Sequence, residues 1–175
     1  MSFLNIFRRA PRGPWDEWLA CIPRPVSYDV ERASLDGIPF QAPAQALEKF
    51  GRPSNADPLG SRSFLFPPLG LKVGLDEEHT VEVFTCVLSP AGFVELSRTR
   101  GFIPCELTLR HHRREFRITG GLNRADIERV VGRFPDEPLE DDVSSAYSII
   151  SLGSTYLSFT FDSNDRLLLV DIEPQ

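Results

Sequence analysis

Leu71-Lys72-Val73-Gly74-Leu75-Asp76 is an alternating run closed by an aspartate, and Leu157-Ser158-Phe159-Thr160-Phe161-Asp162 repeats that form 86 residues later. Alternation of period two reads as a strand with one buried face. An aspartate at the strand end can accept backbone N–H groups two residues on, so Asp76 and Asp162 are predicted turn formers, not catalytic acids. Upstream, Leu47-Glu48-Lys49-Phe50-Gly51-Arg52 stands against Glu128-Arg129-Val130-Val131-Gly132-Arg133 at an offset of 81. The five-residue difference between the two offsets falls in a polar loop, where insertions are tolerated.

Working outward from these landmarks, residues 27–33 and 38–41 read as strands joined by a hairpin turn at Asp36-Gly37. A short helix from Pro43 to Phe50 follows, with Ala46, Leu47 and Phe50 on its apolar face and Gly51 at its end. A polar loop, Ser54 to Arg62, leads into strands at about 63–67, 69–75 and 80–88. After a connector over 89–103 the order recurs. Cys105–Arg110 and Glu115–Thr119 read as a hairpin, and Asn123 caps a helix that runs to Val131 with Asp126 as its capping partner. The polar stretch Pro135 to Ser145 then precedes strands at about 146–151, 155–161 and 166–172. Near the N-terminus, Trp15, Trp18, Leu19 and Ile22 fall at i, i+3, i+4 and i+7, which predicts a helix opened by Pro14 and stopped by Pro23 and Pro25. The expected fold is α+β: two tandem repeats, each a hairpin, a short helix and a three-strand antiparallel meander, plus an N-terminal helix. The corresponding divisions are 1–26, 27–88, 89–103 and 104–175.

A chain of 175 residues buries roughly 70% of its unfolded surface, enough to fold without disulfides or metals. The formal net charge of −6 disfavours nucleic acid and suits a basic partner. Cys21, Cys86 and Cys105 are odd in number and sit in apolar settings, so three reduced, buried thiols are expected, with a Cys86–Cys105 disulfide as the alternative. Residues 3–9 are too short for a signal-peptide core and are read as a loosely docked terminus, with a short interfacial anchor as the alternative. No stretch approaches the ~20 apolar residues that span a bilayer. A cytoplasmic protein without a membrane partner is the expectation.

The candidates for chemistry are sparse. His111 and His112 fall at the expected hairpin turn, where solvated polar residues are usual, and if on a strand they point to opposite faces, so they are not expected to share a metal. His79 falls at a turn with no neighbouring ligand run. There is no nucleophile elbow and no phosphate-cradling glycine motif. The reading is therefore a non-enzyme with no cofactor and no metal. The competing readings are a small enzyme using His79 or His111 as acid–base groups, and an anion or nucleic-acid binder using the hairpin that carries Arg110, His111, His112, Arg113, Arg114 and Arg117. Asp136, Glu137, Glu140, Asp141 and Asp142 form an acidic run suited to the basic cleft of a partner. With Asp57 and Arg62 of the first polar loop, they are the expected partner-binding residues.

Phe50-Gly51-Arg52 with Leu71 to Asp76, and Val131-Gly132-Arg133 with Leu157 to Asp162, resemble the repeat of β-lactamase inhibitory protein. They are similar too to the small fold of the outer-membrane assembly lipoprotein. The resemblance covers about residues 43–88 and 124–172. Chains of this type also resemble uncharacterised cytosolic proteins found beside bacterial toxins. What the resemblance implies is an immunity protein that neutralises a cognate toxin, or binds another protein, by capping it.

Overall fold

The computed structural model describes residues 13–55, 57–132, 139–142 and 145–175. It is a mixed α+β chain dominated by two sheets. The first sheet has the order β3-β2-β1-β7-β8, from β1 (Val26–Asp29), β2 (Ser34–Leu35), β3 (Ile38–Pro39), β7 (Leu107–His111) and β8 (Arg114–Ile118). The second has the order β4-β5-β6-β12-β11-β10-β9, from β4 (Ser63–Phe66), β5 (Leu71–Leu75), β6 (Val81–Val87), β9 (Leu139–Asp142), β10 (Ser145–Leu152), β11 (Thr155–Phe161) and β12 (Leu167–Pro174). Neighbours pair antiparallel except β1 and β7, which run parallel with Tyr28 opposite Leu109. In the larger sheet β6 meets β12, with Phe84 opposite Ile172.

Alternation sets the core. Val26, Tyr28, Leu107 and Leu109 face inward from the smaller sheet; Phe64, Val73, Phe84, Phe159 and Val170 do so from the larger. All belong to one continuous cluster. Each such side chain contributes on the order of 1.5–3 kcal/mol by leaving water.

The turns follow local chemistry. Asp36 and Gly37 both have positive φ, 51° and 80°, which gives the type I′ turn expected of that dipeptide, joining β2 to β3. Asp36 also ties the turn back to β1, accepting the Ser27 N–H at 2.9 Å. The strand expected over 27–33 instead ends at Asp29, whose carboxylate accepts the Arg32 N–H at 3.0 Å and starts a turn. Ala33 closes that turn at φ 45° without a glycine to announce it.

Asp76 and Asp162 form the same turn. Asp76 Oδ1 accepts the N–H groups of Glu78 and Thr80 at 3.0 and 2.8 Å. Asp162 Oδ1 accepts those of Asn164 and Arg166, both at 2.9 Å. His79 and Asp165 hold matching positive φ values of 60°. Each turn reaches back to the residue before a helix: Thr80 bridges Pro43, and Arg166 bridges Asn123. The next residues, Val81 and Leu167, donate to Ala42 and Leu122 at 2.9 Å each.

Two helices differ from expectation. Ala44–Phe50 winds as a 3-10 helix over the predicted range, with Leu47 and Phe50 buried. Gly51 ends it at φ 91°, where a Cβ would lie 2.7 Å from the Cys21 backbone. The predicted N-terminal helix is a correction: only Pro14–Glu17 forms a 3-10 turn, and Trp18 is already extended. Leu19 and Ile22 are 83% and 69% exposed, so the stripe does not exist as a packed face. A segment that short gains little from helix formation, whereas Trp18 buries and Trp15 packs partly buried against Phe64. Trp18 stacks on it at 5.7 Å, and Trp15 meets it edge-on at 5.9 Å. By contrast α2 (Arg124–Val131) carries the predicted capping box, with Asp126 N–H donating to Asn123 Oδ1 at 2.9 Å. The connector holds a single turn, α1 (Val94–Ser97). Among the described residues no helix is long and apolar enough to cross a membrane.

Candidate binding surfaces

The outer face of the seven-stranded sheet is built by the residues that alternate with the core positions. Register places Lys72 opposite Thr85, Thr85 opposite Asp171, Asp171 opposite Ser158, and Ser158 opposite Ile149. Glu173 stands opposite Tyr156. Lys72 lies under the connector, its Nζ 4.8 Å from the Phe93 ring centre. Beyond that end Glu82, Tyr156 and Glu173 are exposed on the face. A depression of about 250 Å³ is lined by Ile149, Tyr156, Ser158 and Glu173. A second of about 380 Å³ is lined by Glu82, Val83, Glu173 and Pro174.

Asp171 is the poorly solvated charge on this face, whereas Glu82 and Glu173 are exposed. Burial pushes the Asp171 carboxyl above its ordinary range, although Thr85 Oγ1 donates to it at 2.6 Å and Lys72 offsets part of the rise. Burial also raises Glu173, and Asp171 and Glu82 add repulsion. Tyr156 stands 43% exposed beside them.

A polar pocket of about 540 Å³ occupies the outer side of the smaller sheet. Arg24, Arg32, Lys49 and Arg110 line it against two carboxylates, Asp29 and Asp36. Both carboxylates are engaged locally, Asp36 by Arg24 at 2.5 Å and Asp29 by Arg32 at 3.8 Å. Arg110 is held by Glu115 at 2.8 Å. Ser27 Oγ, in the pocket lining, is buried and has no hydrogen-bond partner among the described residues.

The histidine pair corrects the strand-based expectation. His111 ends β7, but His112 enters a two-residue turn with Arg113, at φ 48° and 62°. That left-handed backbone folds the second ring back over the first, with centroids 3.9 Å apart. Glu31 joins them, accepting the His112 N–H at 2.5 Å, and that bond lowers its pKa. Donor atoms of Glu31, His111 and His112 all lie within 4.8 Å of one another.

Of the residues expected to bind a partner, Asp136 and Glu137 lie outside the described residues. Glu140, Asp141 and Asp142 are on the edge strand β9, paired to β10, where a loop was expected. Acidic edge strands resist pairing with a further strand. Asp57 shapes its own turn, accepting the Gly60 N–H at 3.0 Å, and Arg62 faces Glu77 at 3.4 Å. The first loop precedes β4 and the acidic segment lies on β9, so the two sit at opposite edges of the sheet and are not brought together. The basic hairpin is partly neutralised, by Glu115 on Arg110 and Glu106 on Arg117. All three cysteines are free. Cys86 and Cys105 are buried in mutual hydrogen-bond contact, which together with burial raises the Cys86 thiol, while burial brings Cys21 to about 11.

No family model matches the sequence, and no curated protein matches it. Among solved structures the chain is similar to the crystal structure of a DUF4309 family protein, YjgB, from Bacillus subtilis. The TM-score is 0.51 at 12% identity, over 79% of this chain and 83% of that one. At such identity the likeness concerns the fold alone. Sequence reasoning missed Asp171 and Glu173, although a signal was present: a carboxylate set inside the apolar run Leu167–Ile172.

Proposed function

We propose that this chain is a protein-binding protein, and in its specific form a cytoplasmic bacterial immunity protein that caps a co-encoded toxin. The observation that carries the proposal is the open outer face of the larger sheet. Asp171 and Glu173 are carboxylates whose ionised forms are penalised there, and Tyr156 and Ile149 stand beside them. An arginine or lysine delivered by a partner offsets that penalty, and the tyrosine supplies an aromatic anchor of the kind that dominates interfaces. The six spacings between seven strands, at ~4.8 Å each, span about 29 Å, wide enough for a standard interface of ~800 Å² per partner. The resemblance to inhibitory repeats supports the same reading.

The sheet is read as the product of duplication. Matching hydrogen bonds at the Asp76 and Asp162 turns support this, as does the pairing of corresponding strands, β1 with β7 and β6 with β12. Binding assays against the products of neighbouring genes test the function, with Glu173→Lys and Tyr156→Ala as variants of the face. A second reading, binding of a small anion, is favoured by the four cations and the buried Ser27 hydroxyl of the polar pocket. Titration with phosphate and acetate distinguishes it.

A further inference from the structure

We propose that Glu31, His111 and His112 form a binding site for a divalent transition-metal ion, with zinc as the best-suited occupant. The inference is independent of the protein-binding face. Three donor atoms from segments 80 residues apart converge within 4.8 Å. The fold places them there: β1 and β7 pair in parallel through Asp29 and Arg110, and the Val30 N–H donates to the Arg110 carbonyl at 3.0 Å. The chain on either side of that bond therefore carries Glu31 and His111 side by side. The left-handed turn at His112 adds the third ligand.

Two imidazoles and one carboxylate are a borderline donor set, matched to zinc, copper or nickel and not to calcium or magnesium. Ligands at ~2.0–2.1 Å around a tetrahedral ion stand roughly 3.4 Å apart. The donors need approach by little more than 1 Å to meet that spacing, within reach of rotamer adjustment of side chains at the surface. His112 Nδ1 already stands 3.4 Å from Glu31 Oε1. Three protein ligands leave a fourth position for water or for a group from a partner. A bound ion links the β1–β2 turn to the β7–β8 turn, and so the two halves of the chain.

The test is titration of tag-free protein with Zn²⁺ by calorimetry and thermal denaturation, with Co²⁺ as a spectroscopic probe. The expected result is one saturable site per chain and a raised Tm. Glu31→Gln and His112→Ala should each weaken binding by at least about tenfold, whereas His79→Ala leaves it unchanged. Co²⁺ should show ligand-field bands without thiolate charge transfer. The proposal is overturned by no saturable binding at millimolar Zn²⁺, by binding unchanged in Glu31→Gln and His112→Ala, or by a thiolate band, which would move the ion to Cys86 and Cys105.

Discussion

Tyr28 Oη lies 2.6 Å from Thr155 Oγ1, and neither residue is exposed to solvent. Tyr28 belongs to β1 of the smaller sheet and Thr155 opens β11 of the larger, so one hydrogen bond crosses the core between the sheets. Removing one partner leaves the other buried and unsatisfied, and that costs more than the bond itself contributes.

Tyr28→Phe and Thr155→Val should each destabilise the fold by about 1–3 kcal/mol. The double variant should lose clearly less than the two single losses added together, because no orphan remains. Urea denaturation of the four proteins measures the coupling. Strict additivity would show that the two hydroxyls act independently.

Asp171 gives a signed pH dependence. Its carboxyl is raised above the ordinary 3.8, so the folded chain holds that proton more tightly than the unfolded one. Stability then falls as pH rises from about 3.8 through the raised value, and Glu173 adds to the same slope. Asp76 acts oppositely: the Thr80 hydroxyl and N–H lower its pKa, so its contribution is present above 3.8 and is lost as pH falls through the folded value. Asp171→Asn, which keeps an acceptor for Thr85, should flatten the decline and raise Tm at neutral pH. Denaturation curves at a series of pH values decide; a lower Tm at neutral pH would show that the carboxylate is fully compensated in the fold.

Gly51 and Gly132 end their helices with similar backbones, at φ 91° and 100°, but among the described residues Gly51 is crowded and Gly132 is not. Among the described residues a Cβ at Gly132 meets nothing within 4 Å, so Gly132→Ala should cost only the conformational strain, about 1–3 kcal/mol. Gly51→Ala adds a clash with the Cys21 backbone and should cost more. Comparing the two Tm shifts measures the close approach; equal losses would show that residues 20–21 move aside freely.

What was legible in the sequence was local. The Asp36-Gly37 turn, the Asp76 and Asp162 turns and the Asn123–Asp126 cap each depend on side chains bonding backbone a few residues away, and the residue types announce them. The N-terminal stripe misled because its periodicity does not reveal that two tryptophans dock on Phe64 from a nearly extended chain. The hairpin turn that carries the histidine pair was legible, but not the left-handed backbone at His112 that brings the two rings together, which needs no glycine to announce it. The candidate face depends on register across β6, β12, β11 and β10, which sets Asp171 beside Thr85 and Glu173 beside Tyr156. Residues 86 apart in sequence meet there through long-range pairing that no local pattern encodes.

The most direct test of the proposed function is the affinity of the intact chain for products of its neighbouring genes, measured by calorimetry for wild type, Glu173→Lys and Tyr156→Ala. The account predicts a nanomolar complex with one basic partner, weakened at least about a hundredfold by Glu173→Lys, a loss of about 2.7 kcal/mol. Absence of any such complex, or one that both variants leave untouched, would contradict it.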